Sequence, residues 1–122
     1  ASELANWFLT QSKISDVYYP GLPGGDAKGL IGKQMQGPGA MIAINMKEGF
    51  EAAQTFCTNL SMITHAVSLG STDTLIQHPA GLTHRPVASE AKPGQGILRI
   101  SVGLESAADL IADFETALNH VN

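Results

Sequence analysis

A single cysteine, Cys57, excludes an intramolecular disulfide and fits a reducing compartment. Charge is sparse, at 15% of residues, and basic charge is sparser still: 7 Lys and Arg against 11 Asp and Glu leave a net charge of −4. With no basic run either, nucleic acid and anionic lipid are poor partners for this chain. No apolar stretch reaches the roughly 18 residues that a membrane-spanning helix needs. The segment from Ala1 to Asn6 lacks the basic-then-apolar layout of a secretory signal. The expectation from these absences is a soluble, cytoplasmic α/β domain with neither membrane nor nucleic acid as a partner. What is present suffices for a core: 122 residues, 43% of them hydrophobic. A chain of this size buries about two-thirds of its unfolded surface as one domain, without a metal or disulfide.

Periodicity divides the chain into short elements. Leu4, Trp7 and Phe8 fall at helical spacing in Ser2–Gln11, with Ser2 as the expected cap. Asp16–Tyr19 is β-prone and stops at Pro20-Gly21. Asp26 is positioned to cap a weak helix carrying Leu30, Ile31 and Met35, weakened by Gly29 and Gly32. Ala40–Met46 alternates as a strand with Ile42, Ile44 and Met46 on one face. Phe50, Ala53, Cys57 and Leu60 then mark an amphipathic helix. Strands are expected at Ile63–Leu69, Leu75–Gln77 and Ile97–Val102, and His78–Gly96 reads as a long surface loop with three prolines and three glycines. The last helix has the clearest start, Ser106-Ala-Ala-Asp109, and an inner stripe of Ala107, Leu110, Ile111, Phe114, Leu118 and Val121. The predicted fold is an α+β two-layer sandwich, a small and mostly antiparallel sheet covered on one face by helices.

Familiar motifs fail one by one. Gly37-Pro-Gly39 and Gly94-Gln-Gly96 lack the third glycine of a dinucleotide fingerprint, and Gly32-Lys33 is followed by Gln34 and has no glycine five positions upstream of Gly32 for a phosphate loop. No Gly-x-Ser-x-Gly elbow is present. His65, His78, His84 and His120 form no metal-ligand spacing, so no metal is expected and His78 and His84 read as loop histidines. Cys57, on the apolar face of a helix, reads as a buried hydrophobe rather than a nucleophile. Tyr18 and Tyr19 read as strand packing.

Arg99 fits this pattern less well. In Ile97-Leu-Arg-Ile-Ser-Val102, Leu98, Ile100 and Val102 share one face and Arg99 shares the other with Ser101. An arginine inside a short apolar strand needs a partner or a solvated sheet face. Its other use is a guanidinium held rigid on a strand, whose fork takes a carboxylate through two parallel hydrogen bonds. Pattern alone leaves both open.

A set of segments then occurs in order: Tyr19-Pro-Gly-Leu-Pro23, Lys33-Gln-Met35, Ala66-Val-Ser-Leu-Gly70, Thr74-Leu-Ile-Gln-His-Pro79, Thr83-His84 and Leu98-Arg-Ile-Ser-Val-Gly-Leu-Glu105. Along its whole length the chain resembles the C-terminal domain of the Cys/Met metabolism PLP-dependent enzymes. That family includes methionine γ-lyase, cystathionine γ-synthase, the cystathionine lyases and O-acetylhomoserine sulfhydrylase. The wording of the Ser-Leu-Gly, Leu-Ile-Gln-His-Pro and Arg-x-Ser-Val-Gly-Leu-Glu stretches is most similar to methionine γ-lyase.

The resemblance implies that Arg99 binds the substrate α-carboxylate, that Ser68 lies near the substrate and the cofactor-bearing lysine, and that Thr83 helps hold the carboxylate. These three stand 15 and 16 residues apart, so only folding brings them together. It further implies pyridoxal 5′-phosphate in the full-length enzyme, held by a lysine in a Ser-x-Thr-Lys-like context of an upstream large domain. None of Lys13, Lys28, Lys33, Lys47 and Lys92 has that context, so no catalytic residue and no cofactor are expected on residues 1–122 alone. The substrate implied is a sulfur-containing or O-acylated amino acid, with elimination or replacement at its β- or γ-carbon. The partners implied are the chain's own large domain and a homotetramer. That large domain is expected to meet apolar surface near Trp7 and Phe8. The sequence departs from the family in Gly24-Gly-Asp-Ala-Lys28, where histidines are usual, and in a short segment between Thr83-His84 and Leu98. Both departures bear on substrate preference. The alternatives are a sulfhydrylase or cystathionine γ-synthase type transferase, and a stand-alone non-catalytic ligand-binding module.

Overall fold

The structure is a computed structural model that describes residues 1–82 and 94–122. The elements in chain order are α1 (Ser2–Leu9), β1 (Ile14–Tyr18), β2 (Met41–Met46), α2 (Gly49–Thr58), β3 (Thr64–His65), β4 (Leu75–Gln77), α3 (Pro79–Leu82), β5 (Ile97–Ser101) and α4 (Ala107–Asn119). The strands form one sheet in the order β1-β2-β5-β4-β3. All pairs are antiparallel except the parallel β3–β4 edge. This is the expected mostly antiparallel sheet with helices on one face.

Strand alternation decides which face is covered. Ile42, Ile44 and Met46 of β2, Leu98 and Ile100 of β5, and Ile76 of β4 are buried together with the inner stripes of α1, α2 and α4. Phe114 of α4 anchors the helical layer: its ring lies 4.9 Å from Phe8 at an edge-on angle and 5.7 Å from Phe56 nearly parallel. Such offset and edge contacts add to the area each ring buries. Trp7 packs on the same cluster, 5.2 Å from Phe8 and 6.4 Å from Phe114. At the expected apolar junction on α1, Phe8 is wholly buried and Trp7 is stacked within the chain, while Leu9 beside them is 55% exposed.

Several local expectations also change. Ser2 lies inside α1 rather than capping it; Ala1 is the N-cap, and the Ser2 hydroxyl shares a 3.1 Å hydrogen bond with the Tyr19 hydroxyl. No helix forms after Asp26. Gly29 and Gly32 take φ of +63° and +86°, left-handed conformations that break a helix and suit a turn. Asp26 still anchors that turn: its carboxylate accepts the N–H groups of Ile31 and Leu30, which hold its pKa below the ordinary value. The buried face of α2 is Ala52, Ala53, Phe56 and Cys57, with Phe50 only partly covered and Leu60 beyond the helix. Ser106 caps α4 as expected, accepting from the Asp109 N–H, and the Lys13 ammonium donates to the Leu118 and Val121 carbonyls at its other end. A cation there complements the helix dipole. Among the described residues, no helix is long and apolar enough to cross a membrane.

Candidate functional site

The sheet face turned away from the helices carries the candidate site. Cross-strand pairing lines up Tyr18 with Ala43, Ala43 with Arg99, and Arg99 with Gln77, one row across four strands. Arg99 thus sits at the middle of the sheet on β5, the strand whose alternate residues Leu98 and Ile100 are wholly buried in the core. Burial of those neighbours fixes the backbone and hence the direction in which the guanidinium leaves it. Ala43 beside it is small, and Tyr18 at the edge of the row is 54% exposed.

The connection between β3 and β4 passes over this face. Ala66 donates its N–H to the Ile76 carbonyl, and Gly70 donates its N–H to the Ser101 hydroxyl at 2.8 Å. Between those two ties, Arg99 Nη2 donates to the carbonyls of Val67 at 2.9 Å and Ser68 at 3.2 Å. Among the described residues, the partners of the guanidinium are these carbonyls rather than an Asp or Glu carboxylate. A carbonyl pair orients an arginine without neutralising it, so the positive charge stays available to an anion. Val67 and Leu69 project outward, 69% and 57% exposed. Ile63–Leu69 was expected as a full strand; only Thr64–His65 pairs, because the chain then turns over Arg99 and Ser101.

Two carboxylates hold this framework from behind. Glu105 accepts the Thr74 N–H at 2.7 Å and the Thr74 hydroxyl at 2.8 Å, and that hydroxyl accepts the Gly103 N–H. The end of β5 is thereby tied to the start of β4. Asp113 on α4 accepts the N–H groups of Ser61, Met62 and Ile63, fixing the entry to β3. Neither role is visible in spacing, since each links positions far apart in sequence.

Of the residues singled out from the sequence, Arg99 and Ser68 come together, although Ser68 meets the arginine through its carbonyl. Thr83 and His84 lie outside the described residues. His78 lies between β4 and α3 but not at the surface: it is 2% exposed, with Nε2 2.8 Å from the Gln95 carbonyl and its ring against Phe50. Its N–H donates to His65 Nε2, and the chain continues into the short helix α3 where a loop was expected. Among the described residues, no group of three acidic, His or Cys side chains is placed to hold a metal. Cys57 is buried, and burial pushes its thiol up to about 12. The residue missed from the sequence is Gln77, which only strand register reveals as the neighbour of Arg99.

Residues 1–119 match the model of the Cys/Met metabolism PLP-dependent enzyme family. The L-methionine γ-lyase of Brevibacterium sandarakinum is 56% identical over 119 residues, covering 98% of this chain and 30% of that protein. The cystathionine γ-synthase of Mycobacterium bovis is 37% identical over 97% of this chain and 31% of its own length. Among solved structures, that of metB from Corynebacterium glutamicum superposes with a TM-score of 0.88 at 38% identity, over 98% of this chain and 31% of that one. The chain spans about 30% of the length of the curated relatives it matches.

Proposed function

Because the chain belongs to the Cys/Met metabolism PLP-dependent enzyme family, we propose that residues 1–122 are the C-terminal, substrate-carboxylate-binding domain of a methionine γ-lyase-like enzyme. The observation that carries the reading is Arg99: a guanidinium on a core strand, aimed along the sheet face opposite the helices and held, among the described residues, by carbonyls instead of a carboxylate. The family's cofactor, pyridoxal phosphate, supplies the electron sink for chemistry at the β- or γ-carbon. Lys13 is committed to the end of α4, and Lys28, Lys33 and Lys47 are exposed. The contribution of this chain lies at the carboxylate end of the substrate.

Arg99 takes the α-carboxylate of a sulfur amino acid through its planar fork, which fixes both the position of the carboxylate and the plane it lies in. Fixing that plane sets the orientation of the Cα–H bond relative to the cofactor, a positioning effect of several kcal/mol in favourable cases. The Val67-Ser68 segment lies over the arginine; by family resemblance Ser68 lies near the substrate and the cofactor-bearing lysine, and Thr83 helps hold the carboxylate and its arginine. Val67, Leu69 and Tyr18 flank the arginine with exposed apolar surface. That surface, together with the exposed end of α1 at Leu9, is where the enzyme's own large domain packs, within a homotetramer in the cytoplasm. Methionine γ-lyase is preferred to a cystathionine γ-synthase or sulfhydrylase type transferase because identity to the former reaches 56%, against 37% for the synthase.

Steady-state kinetics on the full-length enzyme with L-methionine test the reading. Arg99→Ala is expected to lower kcat/KM at least 100-fold, about 2.7 kcal/mol of transition-state stabilisation. Arg99→Lys recovers part of this, since a point charge attracts the carboxylate without fixing its plane. A folded Arg99→Ala enzyme with unchanged kcat/KM would refute the proposal.

A further inference from the structure

Gln77 Oε1 is buried and meets no hydrogen-bond donor among the described residues. A buried acceptor without a donor costs stability and calls for an explanation, of which a role in binding is one. Its place in the sheet indicates that role. Gln77 is the direct cross-strand partner of Arg99 in the antiparallel β4–β5 ladder, so both side chains leave the same face with Cβ atoms about 5 Å apart.

The hydrogens of Arg99 can be accounted for in turn. A guanidinium presents five N–H donors in two forks, and Nη2 contributes one hydrogen to each fork. Nη2 donates here to both the Val67 and the Ser68 carbonyl. A carboxylate that takes a fork competes with those carbonyls for the Nη2 hydrogens, and the arginine loses part of what holds its plane. An N–H outside the occupied fork remains, and among the described residues Gln77 on β4 is a direct neighbour with a free acceptor.

We propose that Gln77 is a positioning residue for Arg99: its Oε1 accepts the guanidinium N–H left over when a substrate carboxylate occupies the fork. The carbonyls of Val67 and Ser68 hold the arginine before the substrate arrives, and Gln77 holds it afterwards. The neutral carboxamide matters, because it steadies the guanidinium without competing as an anion for it. This inference rests on the reading of Arg99 as the carboxylate-binding residue.

The test is KM, kcat and urea unfolding of the full-length enzyme carrying Gln77→Leu, Gln77→Met or Gln77→Glu, with Arg99→Ala alongside. Gln77→Leu and Gln77→Met remove the unpartnered oxygen, so their unfolding midpoints stay at or above that of the parent. Their KM rises about tenfold with kcat nearly unchanged, the signature of lost binding shared by ground and transition states. Gln77→Glu raises KM further, because its carboxylate competes for the same fork. If Arg99→Ala impairs the enzyme but the Leu and Met variants keep the parent KM, the role of Gln77 is overturned while that of Arg99 stands. If Arg99→Ala itself changes neither KM nor kcat, the carboxylate reading fails and this inference with it. Failure of both the Leu and Met variants to fold assigns Gln77 to structure and likewise overturns the proposal.

Discussion

The Arg99 guanidinium donates to the backbone carbonyl of Ser68, 3.2 Å away and 31 residues earlier in the chain. The contact joins the central strand β5 to the segment that crosses the open sheet face. It is a dipole holding a charge, so it fixes direction without itself neutralising the charge. The ties around it are what make the contact possible: Gly70 on the Ser101 hydroxyl, Thr74 on Glu105, and the entry to β3 on Asp113.

Asp113 is expected to be the costliest of these ties to remove. Its carboxylate accepts three consecutive backbone N–H groups at 2.9, 2.9 and 3.2 Å. Asp113→Ala strands those donors, with an expected loss of about 3 kcal/mol in unfolding free energy. Asp113→Asn keeps a carbonyl oxygen and should lose less. Urea unfolding of both variants checks this; an alanine variant within about 0.5 kcal/mol of the parent would contradict it.

Cys57 is expected to be inert in the folded chain. Burial raises its thiol to about 12, and the thiolate is the reactive form. Alkylation by iodoacetamide at pH 8 should be slow in the native state and become fast once denaturant unfolds the chain. The linkage has a definite sign. A thiol whose folded pKa exceeds its unfolded value, about 8.5, contributes stability that is fully present below the unfolded pKa. That contribution is lost as pH rises from there toward the folded value. Stability should therefore decline on the alkaline side, and Cys57→Ala should flatten that decline. Rapid native alkylation would contradict the account.

The fold was largely legible in the sequence because strong periodicity marks it. The alternation of Ile42, Ile44 and Met46 and the Ser106 cap of α4 both appear where the pattern put them. Elements resting on weak local signals were misplaced. The turn after Asp26 replaced a helix because two glycines take left-handed conformations there. The segment after His65 leaves the sheet because its carbonyls serve Arg99. Pattern singled out Arg99, since an arginine among alternating core residues is costly without a use. It could not supply the neighbours. Gln77 meets Arg99 through strand register, and Glu105 and Asp113 act across 31 and 50 or more residues, separations at which local spacing carries no information.

The central claim is that Arg99 recognises a carboxylate, and selectivity for that group tests it most directly. Affinity of the full-length enzyme should be compared for L-methionine and for the amine that lacks only its carboxylate, in the parent and in Arg99→Ala. The account predicts that the parent prefers the amino acid by about 100-fold and that Arg99→Ala removes most of that preference, through weaker binding of the amino acid alone. A preference of equal size in the parent and in a folded Arg99→Ala enzyme would contradict it.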